Sequence, residues 1–357
     1  MKRFFAFALS LPLYVFSQNN GEIHGDFNLN LQSYQEDASI NAEKVDEIVL
    51  NNAYLNLIYT KGNFTAGVRY ESYLNALTDY DSEFKGNGIP YRFATYNLEG
   101  FEITAGSFYE QFGSGLIFRS YEEKGLGIDN AMDGVRLKYI PYSGLNLKTF
   151  IGKSRTHFTY ADGIFRGVDG GLNINELLNS DSKIKIVMGG SFVSRYQERE
   201  NLIFKLPQNV CAYSGRLNVM RGGWNYYGEY AYKINDPANL LTVSSMNYAS
   251  GNAFTQNITF SKKGFGFSVE IHRTDNMTLK SDKDKNGKAY LINYIPTLSK
   301  QHAYTLLALY PCATQSDGEF GMQFDVFYKL KKNTLLGGKH GTKLAFNYSR
   351  INGLNGG

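Results

Sequence analysis

Few residues in this chain stand in the spacings that chemistry requires. The most suggestive run is Asp282-Lys283-Asp284-Lys285-Asn286-Gly287. There Asp282, Asp284 and Asn286 alternate as oxygen ligands, ahead of a glycine that permits the sharp turn of a calcium loop. The twelfth position is Asn293, where such loops carry a bidentate Glu, and two lysines are interleaved; a solvated polar loop is the better reading. The available bases are His24, His157, His272, His302 and His340. His272 faces inward on its strand, but no Ser/His/acid spacing surrounds it, and a lone inward histidine is more often a wall residue. Gly113-Ser114-Gly115 and Gly125-Leu126-Gly127 match neither a nucleophile elbow, a dinucleotide fingerprint nor a P-loop. These residues predict no enzyme and no cofactor.

A second set of charges shares one face of successive strands. Arg69, Arg136, Lys138, Lys148, Lys185, Arg216 and Lys343 are balanced by Glu71, Glu102, Asp133, Glu229, Glu270 and Asp325. Rings of one sign would argue ion selectivity. Balanced charges fit salt bridges across a lumen better, with a polar solute path as the other reading.

The elements that position them are strands. From Ile23 the odd positions read Ile23, Gly25, Phe27, Leu29 and Leu31, while the even ones read His24, Asp26, Asn28, Asn30 and Gln32. Side chains alternate between the faces of a strand, so one face is apolar and the other polar. Phe265, Phe267, Val269 and Ile271 oppose Gly266, Ser268, Glu270 and His272 in the same way. Tight turns are expected at Lys61-Gly62-Asn63, Glu99-Gly100, Tyr142-Ser143-Gly144, Gly222-Gly223 and Lys263-Gly264. Longer connectors are expected around 35–47, 72–88, 111–130, 154–168, 196–208, 234–250 and 274–300. The strands number about sixteen or more, each long enough for the roughly 9–11 residues of a tilted membrane-spanning strand. Short turns on one side and long loops on the other predict an all-β, antiparallel, up-and-down transmembrane barrel, with the short turns periplasmic. A low mean hydropathy of −0.34 agrees, because half of each strand is polar.

Lys2 and Arg3, the apolar run Phe4–Phe16, and Ser17 before Gln18 form a secretory signal peptide over 1–17, leaving 18–357 as the barrel. Removing those two basic residues leaves 35 Lys and Arg against 33 Asp and Glu, too even a balance for a nucleic-acid partner. Cys211 and Cys312 are expected to be unpaired, at opposite ends of the barrel and on the order of 25 Å apart. The loop carrying Gly113 is expected either to fold into the barrel mouth as a constriction or to decorate the outside. The final strand, around Thr342–Arg350, lacks the terminal aromatic such barrels commonly carry, so truncation at the C-terminus is expected.

Phe108-Tyr109-Glu110-Gln111-Phe112-Gly113-Ser114-Gly115-Leu116, Gly127-Ile128-Asp129-Asn130-Ala131-Met132-Asp133-Gly134-Val135, and Asn293-Tyr294-Ile295-Pro296 with Lys300-Gln301-His302 carry a family resemblance. They resemble a Bacteroidota family of outer-membrane barrels of unknown function, over most of the mature chain. The resemblance implies fold and location and names no substrate. The expected function is a channel or transporter for a polar solute in the outer membrane, with lipid around it. The alternative is a non-conducting barrel serving as scaffold or accessory to the subunits of a surface or secretion complex.

Overall fold

The computed structural model describes residues 21–354, apart from 45–46, 78–79, 125–126, 199–206, 235, 237–249, 284, 286, 296–297, 299–313 and 315–317. The expected signal peptide therefore lies outside the described residues. The first strands are β1 (Glu22–Ser33), β2 (Val49–Lys61), β3 (Phe64–Asn75), β4 (Gly86–Leu98) and β5 (Phe101–Phe108). Two short ones, β6 (Glu122–Glu123) and β7 (Ile128–Asp129), pair only with each other. Then come β8 (Met132–Tyr142), β9 (Leu145–Thr156), β10 (Thr159–Asn173), β11 (Ile184–Tyr196) and β12 (Asn209–Arg221). The last are β13 (Trp224–Lys233), β14 (Gly251–Lys262), β15 (Phe265–Asp275), β16 (Gly318–Lys329) and β17 (Lys343–Gly353).

Fifteen of these form one sheet in chain order, every pair antiparallel: the up-and-down barrel fold, one strand short of the expected sixteen among the described residues. Strands β1 and β17 stand at its two ends, and no ladder joins them among the described residues. Alternation is what makes the sheet two-faced. Val135 pairs Ile151 and Val168 pairs Phe192 on the outer face, all exposed, while Arg136, Phe150 and Gly167 share the inner one.

All five expected tight turns are present, and the glycine in each (Gly62, Gly100, Gly144, Gly222, Gly264) has positive φ, which other L-residues resist. The expected long connectors fall on the opposite side, with one correction, while the turn side also carries longer connectors at 174–183 and 330–342. Residues 154–168 are not a loop but a hairpin: β9 runs to Thr156 and β10 starts at Thr159, with His157 at φ 56° in the turn. The polar run Ser154-Arg155-Thr156 looks like loop sequence because it is buried inside the barrel rather than exposed.

The described residues of two loop-side segments, 109–124 with 127–131 and 276–295 without 284 and 286, fold back against the inner face and form a plug. They are joined to each other by backbone bonds, Arg119 N–H to the Ile292 carbonyl at 2.7 Å and Tyr294 N–H to that of Gly115 at 2.9 Å. Asn293 Nδ2 donates to the carbonyls of Leu116 and Met277, at 3.0 and 2.8 Å, and crosslinks both segments. Phe112, Leu116, Ile117 and Phe118 from the first, and Met277, Leu279 and Ile292 from the second, are buried against Phe150, Phe165, Val193 and Val210 of the wall. Phe118 lies 4.5 Å from Phe150, ring centre to ring centre, and 5.4 Å from Phe112. Gly167 makes room for this: a Cβ there would come within 2.3 Å of the Phe150 ring. The molecule's main apolar core thus lies inside the barrel, and the constriction reading of the Gly113 loop matches this inward fold.

Candidate functional site

The plug is held by charge as well as by apolar packing. On one side of the wall, Arg69 of β3 donates from Nε to Glu71 at 2.6 Å and from Nη1 to Glu122 at 2.9 Å. Its Nη2 donates to Asp129. Arg155 at the end of β9 donates to the same Asp129 at 2.6 Å and to Glu71 at 2.5 Å. Arg69, Glu71, Arg155 and Asp129 are all buried, so each charge relies on these partners in place of water. Glu71 and the two arginines belong to the wall; Asp129 and Glu122 belong to the plug. Burial holds the Glu122 carboxyl above its ordinary pKa, with Arg69 pulling the other way.

Lower on the wall, Arg136 of β8 bonds Glu102 of β5 at 2.7 Å and donates to the Tyr109 carbonyl at 2.9 Å. Lys148 of β9 reaches Glu110 at 2.8 Å, and Lys138 reaches Glu102 at 3.2 Å. Lys138 and Lys148 remain partly exposed. Across the barrel, Glu229 of β13 accepts from the Ser114 N–H at 2.7 Å and from the Tyr227 hydroxyl at 2.6 Å. Gly113 is needed there, since it has φ 52° and any Cβ would sit 2.3 Å from the Glu229 carboxylate. Arg216 pairs with Asp169 at 2.7 Å. Asp325 accepts from Gln323 and Asn347 at 2.7 and 2.8 Å, and Glu270 lies in register with Asn257 and Gln323.

Lys185 and Lys343 share the polar-face register but stand exposed near the turn side. Asp133 does not belong with the inward group. It shares the outer face with Val135 and meets Arg92 at 3.3 Å and the Tyr160 hydroxyl at 2.8 Å. The reason is parity: 133 is an odd position on a strand whose inward charges, 136 and 138, are even. Asp282 accepts from Gln197 Nε2 at 2.8 Å, so that carboxylate is engaged within the protein. Asp284 and Asn286 lie outside the described residues. Cys211 is a free, half-buried thiol; Cys312 lies outside the described residues. His272 is a wall residue bonded to Glu319 at 2.6 Å.

Inspection of the sequence missed Arg155, Asp129, Glu122, Glu110 and Asp169. The available signal was apolar: Phe112, Leu116, Ile117 and Phe118 are too hydrophobic for a solvated loop. The stretches 108–116, 127–135 and 293–296, which carry the family resemblance, map to the plug and the strand ends flanking it, with 296 itself outside the described residues.

Among solved structures, the chain is similar to OccK2 (OpdF) of Pseudomonas aeruginosa, solved with glucuronate, at 11% identity over 92% of this chain and 90% of that one, with a TM-score of 0.38. It is also similar to a BenF-like porin from Pseudomonas fluorescens Pf-5, at 12% identity over 94% of both chains and a TM-score of 0.36. A third, OccK1 (OpdK) of P. aeruginosa, has 10% identity over 92% of both chains and a TM-score of 0.38. Likenesses this distant assign no residue and no substrate here. No curated protein matches the chain. The model of one family, described as a family of unknown function (DUF6029), matches residues 1–357, and the chain belongs to that family.

Proposed function

We propose that this chain is an outer-membrane barrel that passes a polar solute through a lumen closed by its own inward-folded segments. The observation that supports the reading most is the change of character along the inner wall. On the turn side of the plug, charges such as Lys138, Lys148 and Lys185 remain partly or fully exposed on the inward register. On the loop side, the same face is packed with phenylalanines. A water-filled vestibule ending at a plug has this layout. The outer face supports the location: Val135, Ile151, Val168, Met188 and Phe192 form a contiguous exposed apolar surface that only lipid or another protein would cover favourably. The inward charges named from the sequence, Asp133 excepted, are our candidates for the lumen lining. The source we infer is a Gram-negative bacterium of the Bacteroidota, exporting the chain with residues 1–17 removed; intact mass of the membrane-extracted protein tests that start at Gln18.

The function is tested by conductance of the detergent-refolded protein in a planar bilayer. The wild type should give infrequent, reproducible steps whose size shifts in Lys138→Gln, and deletion of 112–118 should make them frequent and larger. A folded, heat-modifiable protein that never conducts, with or without 112–118, would overturn the reading. The dry contact of Phe108, Phe112, Phe118, Phe150 and Phe165 favours the second reading, a non-conducting barrel that acts as scaffold for a surface or secretion complex.

A further inference from the structure

The Asp129 carboxylate sits in a complete anion receptor. One oxygen accepts from Arg155 Nη1 at 2.6 Å and from Arg69 Nη2. The other accepts from the Tyr109 hydroxyl at 3.0 Å and the Ala131 N–H at 3.2 Å. The strongest donors belong to the wall, whereas the occupant belongs to the plug. Counting the wall charges alone, Arg69 and Arg155 against Glu71, the receptor carries one net positive charge once the plug leaves and takes both Asp129 and Glu122 with it. An uncompensated buried charge of that kind is strongly unfavourable, so the wall demands one carboxylate, whatever its source.

From this the geometry points to a new site: Asp129 is a built-in stand-in for an organic monocarboxylate, which binds between Arg69 and Arg155 by displacing it and thereby releases the plug. Three features of the site support exchange over a fixed strut. Glu71 is held by both arginines independently of the plug, at 2.6 and 2.5 Å, so it keeps the guanidinium groups aligned when Asp129 leaves. Arg69 also lies over the Tyr91 ring at 4.9 Å, and the Arg155 Nε is anchored on the His157 carbonyl at 2.6 Å, so neither side chain depends on Asp129 for its position. Lastly, the segment around Asp129 meets water at its edge, where Glu122 is partly exposed and Lys124 more so, giving a solute a way in. A two-state latch of this type responds to a solute only through the difference in affinity between its two states. Here that difference is structural, because the receptor is occupied when the plug is in place and empty when it is out. The inference rests on the channel reading for its purpose, but its chemistry can be tested apart from conduction.

The test uses the refolded full chain in detergent and acetate as the probe. In wild type, sodium acetate should accelerate tryptic cleavage after Arg119, which is covered by Tyr121 and Tyr294 while the plug is in place, relative to sodium chloride at equal ionic strength, and acetamide should not. In Asp129→Ala the receptor is vacant whether the plug is in or out, so acetate should no longer accelerate that cleavage. By filling the vacant receptor of the folded barrel it should raise the heat-modification temperature. Wild-type cleavage indifferent to acetate would overturn the proposal even if Asp129→Ala fails to fold, as would a folded Asp129→Ala whose cleavage acetate still accelerates as in wild type. Acetate effects in a protein that never conducts would sustain the receptor and remove the channel.

Discussion

Truncating Phe118 separates the plug from the barrel that holds it. Its side chain is fully buried, in ring contact with Phe112, Phe150 and Phe165, while its backbone belongs to no strand ladder of the wall. Phe118→Ala therefore leaves every rung of the fifteen-strand sheet in place and removes the centre of the plug–wall contact. Loss of a buried phenylalanine costs about 3–5 kcal/mol. At about 1.4 kcal/mol per factor of ten, that raises the plug-out population roughly a hundredfold to a few thousandfold. Limited trypsinolysis reads that population directly. Arg119 is shielded with its guanidinium over the rings of Tyr121 and Tyr294, at 4.4 and 4.2 Å, and becomes cleavable only when the segment leaves the lumen. When reclosing is fast, the cleavage rate follows the open fraction. The expected result is a rise of at least two orders of magnitude in cutting after Arg119, with the barrel still heat-modifiable on gels. A folded Phe118→Ala protein cut no faster than wild type would refute the reasoning, and so would a variant whose whole barrel melts along with the plug.

Two other perturbations probe the plug's edges. Gly113→Ala forces a side chain into a left-handed backbone position and against the Glu229 carboxylate, so the Ser114 N–H bond should be lost. A bond to a charged acceptor contributes about 1.5–3 kcal/mol, and hydrogen exchange at Ser114 should speed up accordingly. At the β9–β10 turn, burial lowers the His157 pKa, against the opposing pull of Asp81 and Glu83. The folded state then binds fewer protons than an opened one, so this contact is at full strength above the unfolded value of about 6.5 and weakens as pH falls below it. The protection of amides around Phe84, whose ring lies 4.5 Å from that of His157, measured as intrinsic over observed exchange rate at each pH, should fall as pH drops below about 6.5, and His157→Asn should remove the dependence. Protection unchanged below that pH in wild type would contradict the assignment.

The sequence by itself determined the strands and the tight turns, because each is a local matter. Alternation of side chains is a property of one strand, as in Phe265, Phe267, Val269 and Ile271 against Ser268, Glu270 and His272. A glycine at positive φ is a property of one turn. Where parity was ignored the reading failed: Asp133 was grouped with Arg136 and Lys138 although period two places it on the other face. Where polarity was taken as exposure it failed again, at Ser154-Arg155-Thr156, which is buried. What only the tertiary structure decided was the content of the lumen. The sequence distance from Arg69 to Asp129, or from Ser114 to Glu229, carries no trace of contact, because a segment folded into the bore meets wall strands far from it along the chain. Balanced inward charges favour salt bridges across the lumen, but they do not say which charges pair or what else fills the bore. Only the inward return of the plug, driven by burying Phe112, Phe118 and Ile292 out of water, settled which charges meet each other and which still face solvent.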